Sequence, residues 1–195
     1  MKKITKLIFG IFVCTIFSAI ISGYTVSADE NTAEPKIINR ATNVGNTYHH
    51  RIVSIQMLEN PRNVLEWNMF TTSRVFMRQD QGLPNQRWVM FYNNEDGTYQ
   101  IVGGPLNAGG TFRAAYLSAN GQNIDTRWNI NSDKWRIFRF GSHANGNTVY
   151  IQNVSENRIM TYPAAWLGSP LILRPLEVAN GGTSQRFIIR ILGNA

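Results

Sequence analysis

The 195-residue sequence predicts an all-β domain built from three similar units, and three observations predict it. Strand-length apolar or alternating runs recur at intervals of 8–15 residues, with Asn, Gly and Pro between them. A short run ending in a buried-type aromatic followed by apolar residues recurs three times at near-equal spacing. Outside the N-terminus, no stretch keeps a helical apolar period over 11 residues.

The N-terminus is of a different kind. Lys2, Lys3 and Lys6 precede a run of 22 uncharged residues from Leu7 to Ala28, which ends Val26-Ser27-Ala28. A basic start, an apolar middle and small residues before the boundary predict a secretory signal peptide over 1–28, cleaved after Ala28. An uncleaved membrane anchor is the alternative, since 22 uncharged residues could just span a bilayer. Ser18, Ser22, Gly23 and Thr25 dilute the second half of the run and favour the cleaved leader. The single cysteine, Cys14, lies inside it, so the mature chain could form no disulfide framework and no Cys-based zinc site. The formal net charge of +7 loses three lysines with the leader, leaving (19 − 3) − 12 = +4.

Asp29 to Thr47 is rich in Asn, Thr, Glu and Gly and predicts a flexible lead-in. The domain is expected over 48–195. Its strand runs begin with Arg51–Met57, Arg74–Met77, Trp88–Tyr92 and Tyr99–Val102. They continue with Trp135–Phe140, Val149–Asn153, Leu171–Leu173 and Phe187–Ile191.

The recurring runs are Asn85-Gln86-Arg87-Trp88, Ser132-Asp133-Lys134-Trp135 and Ser184-Gln185-Arg186-Phe187. Trp88 and Trp135 are 47 residues apart, and Trp135 and Phe187 are 52 apart. The first two strands end at the turns Asp96-Gly97 and Asn145-Gly146, which divides the domain into about 48–97, 98–146 and 147–195. One such unit could not bury its apolar face alone, so the three are expected to fold together around the aromatics.

The Gln-x-Trp pattern closing each unit resembles the ricin-type β-trefoil lectin family, over essentially all of the mature domain. The resemblance implies a β-trefoil of three repeats of about 49 residues with pseudo-threefold symmetry. It also implies framework roles for Gln86 with Trp88, Asp133 with Trp135, and Gln185 with Phe187. The stretch Gly168–Pro175 followed by Ser184–Phe187 is similar to the last repeat of small clostridial haemagglutinin components.

Sugar-binding units of that family pair an acid with an aromatic platform and an Asn just before the Gln-x-Trp. A carboxylate accepts from two sugar hydroxyls while an aromatic face stacks on the ring's C–H face. In the first unit, Glu66 stands at the acid position and Asn85 at the Asn position, with the platform near Phe76 to Arg78. In the second unit, Ser118 replaces the acid and Ser132 the Asn, while Trp128 is a candidate platform. The third unit offers Thr161, with Leu173 or Arg174 at the platform place. The first unit is therefore the leading candidate site. Trp166, in a loop bounded by Pro163 and Gly168, is a further candidate anchor for a ligand or partner.

The mature chain holds 14 Arg and only two Lys, Lys36 and Lys134. The arginines are scattered along strands rather than clustered, which points away from nucleic acid and toward acidic glycans, a cell surface or an acidic partner. Enzymatic motifs are missing: His49, His50 and His143 fit no metal-ligand pattern, and there is no nucleophile elbow or phosphate loop. The sequence thus predicts a secreted, non-catalytic carbohydrate-binding module with no cofactor and no metal. Its partners are expected to be surface glycans or a partner toxin subunit, with peripheral rather than integral membrane contact. A protein–protein adaptor on the same fold is the main alternative, and a secreted inhibitor or enzyme a lesser one.

Overall fold

A computed structural model describes residues 41–68, 74–103, 115–128, 133–139, 148–163, 168–177 and 183–195. Among these residues the chain is all-β. Its thirteen strands are β1 (Thr42–Asn43), β2 (Arg51–Met57), β3 (Asn63–Trp67), β4 (Val75–Gln79), β5 (Trp88–Asn93) and β6 (Thr98–Gly103). They continue as β7 (Ala115–Asn120), β8 (Asn123–Arg127), β9 (Trp135–Arg139), β10 (Thr148–Asn153), β11 (Arg158–Thr161), β12 (Ile172–Arg174) and β13 (Phe187–Asn194). Short 3₁₀ turns at Pro84–Gln86 and Thr183–Gln185 precede β5 and β13.

Six strands close a ring. β2 pairs with β5, β5 with β6, β6 with β9, β9 with β10, β10 with β13, and β13 returns to β2, all antiparallel. A closed ring leaves no unpaired edge for another chain to extend. The other strands form the hairpins β3–β4, β7–β8 and β11–β12. The hairpins meet one another through the pairs Ile172↔Asn123, Arg74↔Asp125 and Phe76↔Pro170. Each third of the domain thus gives its first and last strands to the ring and its middle two to a hairpin.

Alternation along the ring strands explains the core. Val53 and Ile55 of β2, Trp88 and Met90 of β5, Tyr99 and Ile101 of β6, and Trp135 and Ile137 of β9 are fully buried. So are Val149 and Ile151 of β10 and Phe187 of β13, and all belong to one cluster. The three aromatics that the sequence spacing selects are therefore all inside. The Trp88 indole N–H donates to the Leu65 carbonyl at 2.9 Å and that of Trp135 to Leu117 at 3.0 Å. Phe187 has no such donor, and Tyr162 packs edge-on against it at 5.6 Å.

The end of the lead-in takes part in the fold. Thr42 and Asn43 pair with Arg139 and Phe138, and Val44 and Tyr48 are buried. The Tyr99 hydroxyl donates to the Gly45 carbonyl and accepts from the Tyr48 amide at 3.3 Å. The sequence pattern of 29–47 gives no apolar period, yet buried Val44, a two-residue ladder and the neighbouring Tyr48 hold its last residues on the ring. Residues 1–28, where a signal peptide is expected, lie outside the described residues.

Candidate functional site

The first unit builds a polar cluster on the β3–β4 hairpin, and Gln86 is its hub. Pro84 starts the 3₁₀ turn that carries Gln86, and the Gln86 side chain is wholly buried. Its amide nitrogen donates to the Glu66 carboxylate at 2.8 Å and to the Gln79 carbonyl at 2.8 Å. Its amide oxygen accepts from the Gln81 and Leu83 amides at 2.8 and 3.4 Å. Both donors and the acceptor oxygen are thus used, which a buried amide requires. Asn85 beside it donates from its side chain to the Trp67 carbonyl at 2.9 Å.

Glu66 stands directly opposite Phe76 in the β3–β4 ladder, so the two share a face. Arg78, two residues on, lies on the same face, and its guanidinium covers the Phe76 ring at 5.6 Å from the centroid. The turn at Gly168 packs close to Arg78, and its amide donates to the Met77 carbonyl at 3.2 Å. A half-buried carboxylate, an aromatic ring and a cation therefore sit together where the hairpins meet. Nearby, the Arg87 guanidinium contacts Asp80 at 2.8 Å. Burial opposes ionisation of Asp80, but the bonds from Arg87 and the Gly82 amide outweigh it and hold the carboxyl below its usual range.

The other units keep the frame and lose the acid. Gln185 repeats the Gln86 pattern: its amide nitrogen donates to the Thr161 hydroxyl at 3.1 Å and the Pro175 carbonyl at 2.7 Å. Its oxygen accepts from the Glu177 amide at 2.8 Å. Thr161 thus occupies the place of Glu66. In the second unit, Asp133 accepts from the Ala119 amide, and Ser118 donates to the Tyr116 carbonyl at 3.3 Å. Among the described residues a carboxylate at the Glu66 position is therefore found in the first unit, while the second hairpin carries its acid, Asp125, on the opposite strand facing Ser118, where it accepts from the Asn120 side chain at 3.1 Å.

Trp128 does not join Glu66. Its ring is 51% exposed and meets Trp67 edge-on at 5.7 Å. Glu66 and Trp67 are neighbours on a strand, so their side chains leave opposite faces. Trp128 therefore lies against the buried Trp67 on the far side of β3 from the carboxylate. That contact also links the second unit's platform candidate to the first unit, which sequence spacing does not reveal. Trp166, Ser132 and His143 lie outside the described residues.

Among the described residues no group of His, Cys, Asp and Glu is placed to hold a metal ion, and no helix is long and apolar enough to cross a membrane. His49 accepts at Nδ1 from the Tyr92 amide at 2.9 Å and stacks on His50 at 4.0 Å. The pair caps the ring at the start of β2. Gln79, Gln81 and Leu83 are partners that the sequence reading did not name. Their contributions are backbone groups, which carry no side-chain signature.

No family model and no curated protein matches the chain. Solved structures do match it. One is of a mosquitocidal holotoxin, with TM-score 0.61 and 19% identity over 74% of this chain and 18% of that one. The chain thus spans less than a fifth of that toxin's length. A ricin B-like lectin of Macrolepiota procera, in complex with lactose, matches with TM-score 0.55 and 16% identity over 72% and 95% of the two chains. A proteinase inhibitor from Coprinopsis cinerea matches with TM-score 0.54 and 14% identity over 71% and 95%. At such identities the likeness is one of fold, and the chain has the all-β fold shared by ricin B-like lectins and toxin components.

Proposed function

We propose that the chain is a secreted β-trefoil module of the ricin type. It binds carbohydrate without catalysis and serves as a cell-surface targeting or accessory component of a bacterial toxin or haemagglutinin. The leader would be residues 1–28, the lead-in would begin at Asp29, and three repeats would fill 48–195. The observation that carries the reading is the first unit's cluster. Glu66 is held by the framework amide of Gln86 beside the Phe76 ring, on the hairpin where the acid of a ricin-type site is expected. A fixed carboxylate next to an aromatic ring suits paired sugar hydroxyls and the apolar face of a pyranose. The lactose complex of the Macrolepiota procera lectin makes terminal galactosides the first probes.

A glycan array and an erythrocyte agglutination assay on the purified protein test the reading. Binding that disappears in Glu66→Thr while the fold persists supports it. Silence on every glycan, for the parent chain and in cell binding, sinks it.

A protein–protein adaptor is the second reading. It is favoured by Ser118 and Thr161 in place of the acid, and by the Arg78 guanidinium already lying over Phe76. Co-purification with a secreted partner and no glycan binding would select it.

A further inference from the structure

A second site lies away from the hairpins. Where β2, β9 and β13 meet the turn before β2, there is a cleft of about 430 Å3. None of Glu66, Phe76, Asn85 or Gln86 lines it. Gln56 is opposite Ile188 in the β2–β13 ladder and Ser54 is opposite Arg190, so Gln56, Ile188 and Arg190 share one face. Arg139 ends β9 and hydrogen-bonds the Tyr48 phenol. Ile191, 46% exposed, also borders the cleft, but it pairs with Val53 and its side chain leaves the other face of β13.

The charge of this cleft is one-sided. Among the described residues its lining holds two guanidiniums and no carboxylate. Asp80 is near enough to feel the charge of Arg190, but it is engaged by Arg87 at 2.8 Å and does not line the cleft. Two guanidiniums beside the Ile188 side chain favour an anion that carries an apolar body. The planar fork of each matches a carboxylate in two-bond geometry. A sugar is a poorer fit. Tyr48, the aromatic of the cleft, is 4% exposed and offers no ring face, and the other apolar groups are isoleucines.

We propose that this cleft docks an acidic peptide segment of a partner protein, with a carboxylate between Arg139 and Arg190 and a flanking aliphatic side chain against Ile188. This stands apart from the glycan reading, because it uses different residues and a different ligand chemistry.

The test is an NMR titration of the full chain with the blocked tripeptide Ac-Ile-Glu-Ile-NH2, followed at the Ile188–Ile191 amides. Saturable shifts confined to β13, β2 and the end of β9 are expected. Arg190→Gln should weaken the binding roughly tenfold, the loss of one charged hydrogen-bonding partner. Arg190 is exposed, so this variant should fold as the parent does, whereas Arg139→Gln also removes the contact to Tyr48. Equal binding of Ac-Ile-Gln-Ile-NH2 would overturn the carboxylate assignment. Tighter binding of N-acetylneuraminic acid at the same amides would overturn the peptide assignment. No shift with the tripeptide, or shifts unaffected by Arg190→Gln, would overturn the site itself.

Discussion

The Gln86 side chain donates to the Glu66 carboxylate at 2.8 Å, so the frame of the first unit and its candidate ligand group are one hydrogen-bonded system. A change at Glu66 must therefore be read on two axes, stability and binding.

Glu66→Ala leaves one donor of the fully buried Gln86 amide without its partner. An unsatisfied buried donor costs about 1–3 kcal/mol. Glu66→Thr copies the third unit, where the Thr161 hydroxyl accepts from Gln185 at 3.1 Å. It should keep stability within about 1 kcal/mol of the parent, the net worth of one such bond. Urea unfolding of both variants checks this. Galactoside binding should vanish in both, so Glu66→Thr separates a binding role from a structural one.

The three central aromatics give a second comparison. Trp88→Phe makes the first unit resemble the third, removing the bond to Leu65 and about a third of the ring area. The expected cost is about 2–3 kcal/mol, from the lost hydrogen bond and the cavity at a fully buried site. Phe187→Trp should also destabilise, by about 1–3 kcal/mol, because Tyr162 already packs edge-on against that ring. If both substitutions were neutral, the centre of the ring would be far looser than its burial indicates. Thermal unfolding resolves differences of this size.

The framework was legible in the sequence because it repeats. Trp88, Trp135 and Phe187 are spaced by one unit each, and a repeated pattern declares itself without any partner being known. The site was legible only as single positions. Glu66 and Asn85 could be placed by their distance from Gln86 and Trp88, but the face each uses depends on strand register. Register separates Glu66 from Trp67 by one residue and so places Trp128 on the opposite side. The cleft at Arg139 and Arg190 was hidden for a similar reason. Those residues are 51 apart in sequence (190 − 139), and they come to the same space because β9 and β13 both pair with β10.

Gly103 tests the approach of the first two units. A Cβ there would stand 2.6 Å from the Trp67 indole nitrogen, which is buried without a hydrogen-bond partner. Gly103 is in ordinary strand conformation, so its requirement is space rather than a left-handed backbone. Gly103→Ala should cost about 1–3 kcal/mol by overpacking. Trp67→Phe removes the pyrrole edge that meets the new methyl, so the cost of Gly103→Ala should fall by roughly half in that background. A double-mutant cycle by urea unfolding measures the coupling. A cycle with no coupling would mean that the strain at Gly103 is relieved elsewhere.

Alkaline pH should loosen the ring from the side that the lead-in closes. Burial pushes the Tyr99 phenol up from 10.0 to about 12, and its hydroxyl donates to the Gly45 carbonyl. Tyr162 is raised further, again chiefly by burial, and its hydroxyl donates to the Thr183 carbonyl at 2.7 Å. For both, the folded state holds the proton more tightly than the unfolded chain does. Both contributions are therefore complete below pH 10; that of Tyr99 is lost as the pH climbs from 10 through about 12, and that of Tyr162 goes on falling above that range. The unfolding midpoint should fall across that window, and tyrosinate absorbance should lag behind that of the unfolded chain. Tyr99→Phe cannot ionise, so it should flatten the early part of the fall while lowering stability at neutral pH by about 1 kcal/mol for the lost bond. Burial raises Tyr48 and Tyr150 as well, so an identical alkaline profile in Tyr99→Phe would move the sensitivity to Tyr48, Tyr150 or Tyr162, and Tyr162→Phe would then show whether the closing turn of the third unit is the weak point.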